Sequence, residues 1–212
     1  MKMKSFWSYY LNTIIRPSRT FNLLTEDKNG LKYGLFGLLF PAIGYTLFYI
    51  MASNAGGAPT TFKPWLAIPA DKYFFYDIFL ALPGYFFSIF VTTSTIYLLS
   101  KAMKGTATYD KLFAVIGISI GIASWSTMLH DLTDSFLAFV GIIDMKAYEK
   151  ALNEPTFWRN LLLTLFLIYF TWFLILFTKG IKAASKLSNF KSAVLGFIAL
   201  VLYQGTLLIF IR

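Results

Sequence analysis

The sequence predicts an all-α, polytopic membrane helical bundle: five transmembrane helices, N-terminus inside and C-terminus outside, preceded by an interfacial amphipathic helix. Three observations carry this. Of the 212 residues, 57% are hydrophobic and only 14% charged, against roughly a quarter charged in an ordinary soluble domain. Five long runs contain no Asp, Glu, Lys or Arg: Tyr33 to Ser53, Ile78 to Ser100, Leu112 to Leu129, Asn160 to Thr178 and Ser192 to Ile211. The lysines and arginines, finally, are divided unevenly between alternate connections. A helix needs about 20 mostly apolar residues to cross ~30 Å of hydrocarbon. A single charge at its centre costs about 2.5–3.5 kcal/mol on insertion scales, so charge-free runs of this length point to lipid.

The first element precedes the spans. Trp7, Tyr10, Leu11, Ile14 and Ile15 fall at i, i+3, i+4, i+7 and i+8, one face of a helix. Lys2, Lys4 and Arg16 flank that face. The stretch is not read as a signal peptide, because Ser8, Asn12 and Thr13 interrupt it and no small-residue cleavage site follows. Pro17 ends this helix and opens a second short turn through Ser18 to Leu24. Residues 1–32 are expected to form a cytoplasmic interfacial segment, either lying on the leaflet or packed on the ends of the bundle. Residues 33–212 form the transmembrane domain.

Asn54 to Tyr73, rich in Gly, Pro and Thr, reads as an irregular external loop. Trp65, Tyr73, Phe74 and Tyr76 mark the outer interface. Pro83 is expected to kink the second span, with Gly84 making room for a close neighbour. Gly117 and Gly121 form a small-xxx-small pair in the third span that permits close helix approach. After His130-Asp131-Leu132-Thr133-Asp134 comes an apolar run, Phe136 to Ile143, too short to cross. It fits a helix continuing outward, an interfacial helix or a re-entrant segment. Asp144 to Arg159 is polar, with Asn153-Glu154-Pro155 stopping one element before the fourth span. That span, with Tyr169 and Trp172, reads as bundle and lipid surface, and Gln204 in the last span as an interhelical hydrogen bond.

Charge sets the expected orientation, because Lys and Arg are retained on the cytoplasmic side. The N-terminal segment and the second and fourth connections hold 13 of the 19 basic residues; the opposite side holds Lys63, Lys72, Lys146, Lys150, Arg159 and Arg212. The net charge of +9 therefore reads as topology and contact with anionic headgroups, and not as nucleic-acid binding.

Little in the sequence carries reaction chemistry. With no cysteine, disulfides, thiolates and Cys-based metal sites are excluded. The single histidine leaves no metalloprotease or bis-His heme pattern, and no triad order or phosphate loop occurs. No enzyme, no cofactor and no metal is predicted. Asp77, His130, Asp131 and Asp134 fall at the outer ends of spans, where water is accessible. His130 and Asp134 share a helix face. The four read as a hydrated cap on helix ends, or as the vestibule of a small transporter or channel.

A basic-aromatic segment, Ile15-Arg16-Pro17-Ser18-Arg19-Thr20-Phe21, leading into five spans resembles the Yip family of Rab-GTPase-interacting membrane proteins and its prokaryotic relatives. Eukaryotic members usually carry Asp-Leu-Tyr-Gly-Pro before the first span; Thr25 to Gly34 lacks it here. The resemblance thus implies fold and topology without implying a GTPase partner. It implies a non-enzymatic membrane organiser or adaptor that engages lipids and other membrane proteins, or self-associates, in a prokaryotic plasma membrane. Arg16, Arg19, Lys101, Lys104, Lys179, Lys182 and Lys186 are the expected lipid-binding residues.

Overall fold

In the computed structural model, residues 5–59 and 65–211 are described; Lys2, Lys4, Lys63 and Arg212 lie outside them. Among the described residues the chain is helical, with no strand: α1 (Phe6–Ile15), α2 (Pro17–Leu24), α3 (Gly30–Asn54), α4 (Tyr73–Ala102), α5 (Tyr109–Ala123), α6 (Trp125–Phe139), α7 (Met145–Asn153), α8 (Phe157–Ser185) and α9 (Asn189–Phe210). Side-chain caps open several of them. The hydroxyls of Ser5, Thr108, Thr156 and Ser188 and the carboxylate of Asp144 each accept from a backbone N–H three residues on, satisfying donors that a helix start leaves orphaned. Four helices (α3, α4, α8, α9) are long and apolar enough to cross a membrane, and α5 with α6, taken as one bent span, makes five.

The tightest helix contact follows from glycine. A Cβ on Gly34 would lie 2.6 Å from the Cα of Ala114, one on Gly117 would collide with the Gly34 carbonyl, and one on Gly121 with the Gly37 carbonyl. The predicted small-xxx-small pair of α5 therefore meets its counterpart on α3, and the two backbones touch. Gly84 does the same service on α4, where a Cβ would come within 3.1 Å of the Phe210 Cβ of α9. α4 runs unbroken through Pro83.

The third span departs from the single helix expected over Leu112 to Leu129. It breaks at Ser124 with a bend of 45° between α5 and α6. Ser119 and Ser124 donate back to the carbonyls of Val115 and Ile120, a pairing that bends helices. The apolar run Phe136 to Ile143 resolves as helix continuation followed by a turn. α6 ends at Phe139, Gly141 takes φ +78°, and Ile142 N–H reaches back to the Leu137 carbonyl, a glycine-terminated helix end.

α1 packs on the bundle and keeps an apolar face outside it. Tyr9, Tyr10 and Thr13 are buried, and the Tyr10 ring meets Phe40 of α3. Trp7, Leu11, Ile14 and Ile15 are exposed. Of the periodic positions in the sequence, Tyr10 alone turns inward. α2 lies along α8, with Phe21 fully buried against Gly180. The bundle centre is aromatic, with Phe173 stacked on Tyr203 at 5.3 Å and Tyr85 beside Tyr203 at 6.5 Å.

Candidate functional site

The helix ends divide the charge of the bundle. One end collects α2, the α4–α5 connection and the α8–α9 connection; the opposite end carries seven of the ten acidic residues. At that acidic end a cavity of about 170 Å³ opens among α3, α4, α6, α7, α8 and α9. Among the described residues no Lys or Arg lines it.

α6 delivers its polar group. His130, Asp131 and Asp134 lie within one turn, and the imidazole Nδ1 sits 3.0 Å from Asp131 Oδ1 and 3.2 Å from Asp134 Oδ2. The other ring nitrogen, Nε2, is 2.9 Å from the Tyr148 hydroxyl of α7. Burial, followed by the Asp134 carboxylate, pushes the Tyr148 phenol above its ordinary range. That phenol stays protonated and can donate to Nε2, which leaves the proton of a neutral ring on Nδ1, shared by two carboxylates. The donor atoms of His130, Asp131 and Asp134 all lie within 4.8 Å of one another, close enough to close on an ion.

α7 is aimed by its cap. The Asp144 carboxylate accepts from Ala147 N–H at 3.0 Å, and four residues after that cap comes Tyr148. Glu149, 2% exposed, accepts from the Ala58 N–H at 3.1 and 2.9 Å and ties α7 to the chain that follows α3. Deeper in, Gln204 of α9 donates to the Tyr169 hydroxyl of α8 at 2.9 Å, the interhelical bond expected of it, and Tyr45 shares a hydrogen bond with Thr127 at 2.8 Å.

Three of the four predicted vestibule residues therefore converge. Asp77 does not. It is fully buried on α4 and is not among the residues that line the cavity. Tyr73, Asp77, Ala81 and Tyr85 recur at intervals of four along α4 and all are buried, so protein covers the position where the sequence suggested water.

At the basic end, Arg16, Arg19, Lys101, Lys104, Lys179, Lys182 and Lys186 are all exposed. Lys179 Nζ donates to Ser18 Oγ and Lys186 Nζ to Asn22 Oδ1, each at 3.3 Å, while Thr106 N–H donates to the Ser185 carbonyl at 2.9 Å. These bonds join three segments distant in sequence.

A family model described as the Yip1 domain matches residues 11–211, nearly the whole chain. The chain belongs to the Yip1 domain family. Neither a curated protein nor a solved structure matches it. This Yip1-domain protein is an integral, multi-pass membrane protein on both its family and its apolar helices. The matched region takes in the second half of α1, all of α2 and every described residue that lines the acidic cavity. Sequence reasoning missed Tyr148 and Glu149. The signal was present in α7, whose buried residues Met145, Glu149 and Leu152 fall at i, i+4 and i+7 and so put a carboxylate on an apolar stripe.

Proposed function

We propose that this Yip1-domain protein is a non-enzymatic membrane organiser whose basic end faces the cytoplasm and holds anionic lipid headgroups. The observation that carries this is the meeting of seven exposed cations on one end of the bundle, from the start of α2, the end of α4 with the connection after it, and the end of α8 with the connection after it. Each basic residue near an anionic surface is worth about 1 kcal/mol. Bonds between the segments fix their spacing, so the charges act as one platform. On this reading the N-terminus lies inside and the C-terminus outside, the membrane is a prokaryotic plasma membrane, and the apolar outer surfaces contact lipid, other membrane proteins or a second copy. Native mass spectrometry of the purified protein with phosphatidylglycerol and phosphatidylcholine tests it. Phosphatidylglycerol should be retained preferentially, and neutralising the seven residues to Gln should abolish the preference. An unchanged preference would overturn the lipid assignment.

A second reading, a small transporter or channel, is favoured by one specific feature. Tyr85 lines the cavity, and beyond it α4 carries Ser88, Thr92, Thr93 and Ser100, all fully buried, toward the basic end. Buried hydroxyls in a span can serve a solute path as well as packing. Proteoliposome flux of cations and small amines distinguishes the two, since an organiser leaves the gradients intact.

A further inference from the structure

We propose that the cavity at the acidic end binds a small organic cation, an alkylammonium group of about six heavy atoms. The inference concerns binding alone and holds whether or not the bundle transports what it binds.

The sign of the ligand follows from proton counting. Asp131 and Asp134 both face Nδ1 of His130, and Nδ1 carries one proton at most. With both aspartates ionised, the group is doubly negative around a neutral imidazole and singly negative around an imidazolium. The side chains of Asp131 and Asp134 are only 23% and 14% exposed, so water compensates them poorly, and a half-buried charge calls for a counter-charge. Among the described residues the cavity supplies no Lys or Arg to provide one. Glu149 is left out of this count, because it already accepts from the Ala58 N–H.

The walls decide the kind of cation. Tyr45, Phe48, Tyr85, Phe166, Tyr169 and Phe170 line the same space. Aromatic faces attract ammonium groups through the ring quadrupole, and rings gathered around a carboxylate are the arrangement that recognises organic ammonium ions. A bare divalent ion would use the His130 group and leave the aromatic volume idle. The volume of about 170 Å³ is a little larger than the ~150 Å³ apolar cavity that accepts a benzene.

The test uses the full chain in phosphatidylglycerol nanodiscs, titrated with n-butylammonium, with n-butanol as its neutral counterpart, and with Zn²⁺ and Mn²⁺. Butylammonium should raise the melting temperature saturably while butanol does not. The double variant D131N/D134N should bind butylammonium at least tenfold more weakly, and F166L/F170L at least threefold more weakly with the acidic group intact. The comparison of amine with alcohol on the unaltered protein stands even if a variant fails to fold. Equal responses to amine and alcohol, no response to either, or a response to the metal ions alone would overturn the proposal. Repeating the titration with phosphatidylethanolamine in the disc identifies the source. A butylammonium response that disappears assigns the cation to a lipid headgroup, and an undiminished one assigns it to a soluble amine.

Discussion

The hydroxyl of Tyr10 donates to the carbonyl of Gly121 at 2.6 Å, and the Nε1–H of Trp125 donates to that same hydroxyl at 2.7 Å. One side chain of α1 thus occupies the break in the third span. Gly121 belongs to the last turn of α5, where carbonyls need partners from outside the helix, and Trp125 opens α6. The surface helix and the bend are coupled through this oxygen.

Tyr10→Phe should therefore destabilise the protein out of proportion to one lost oxygen. It leaves the buried Gly121 carbonyl without its partner, at a cost of about 1–3 kcal/mol, and removes the acceptor of the Trp125 indole N–H. The melting temperature in detergent should fall, and amide exchange should rise in α1 and across residues 121–125. Tyr9→Phe is the control. Tyr9 donates to the half-exposed Asp27 at 2.8 Å, where water can substitute, so its loss should be small. Equal effects from the two would mean that the Tyr10 bridge contributes nothing special.

The glycines predict a graded series. At Gly117 and Gly121 an added methyl meets the α3 backbone, which cannot rotate away, so Gly117→Ala and Gly121→Ala should each cost about 1–3 kcal/mol by overpacking. Gly205, in α9, has nothing within 4 Å of its would-be Cβ. Gly205→Ala should be neutral or stabilising by up to about 1 kcal/mol, since alanine is the better helix former. Thermal unfolding of the three variants side by side would expose any failure of this order.

The spans were legible because hydrocarbon imposes one rule on all of them. Charge exclusion located α3, α4, α8 and α9 to within a few residues at most of their ends, and the Gly117–Gly121 contact followed from spacing. The break at Ser124 was not legible, because its causes are spread over the chain. Two serine back-bonds are local, but the tyrosine that seats the bend lies more than a hundred residues upstream. The site divides in the same way. His130, Asp131 and Asp134 are neighbours on one helix, and their meeting is a matter of i, i+1 and i+4. Tyr148 reaches them only because the turn at Gly141 folds α7 back, and Asp77 is excluded only because of what packs over α4. Composition reported which residues are polar; tertiary packing decided which of them see the same space.

Glu149 tethers α7 to the chain that follows α3. A buried carboxylate accepting from a backbone N–H makes a charge-assisted bond worth about 1.5–3 kcal/mol. Glu149→Ala should lower the melting temperature and release the Ala58 amide to rapid exchange, and should loosen Tyr148 from His130. Glu149→Gln keeps one oxygen for the Ala58 N–H and should restore much of the protection. If alanine and glutamine variants exchange at Ala58 at the same rate, the tether is not what holds that connection.

The orientation proposed from charge can be read directly, because the chain contains no cysteine and each introduced thiol reports without background. Lys101 sits in the last turn of α4 at the basic end and Lys150 on α7 at the acidic end, and both are exposed. In intact cells a membrane-impermeant maleimide should label Lys150→Cys and leave Lys101→Cys unreacted until the cells are lysed. The 13-to-6 division of Lys and Arg is the force behind this expectation, because basic connections resist translocation. Reversed labelling would turn the protein over and place the seven-cation platform outside, where the anionic-leaflet argument has no purchase. Partial labelling of both sites in intact cells would mean that the charge bias fails to select one topology.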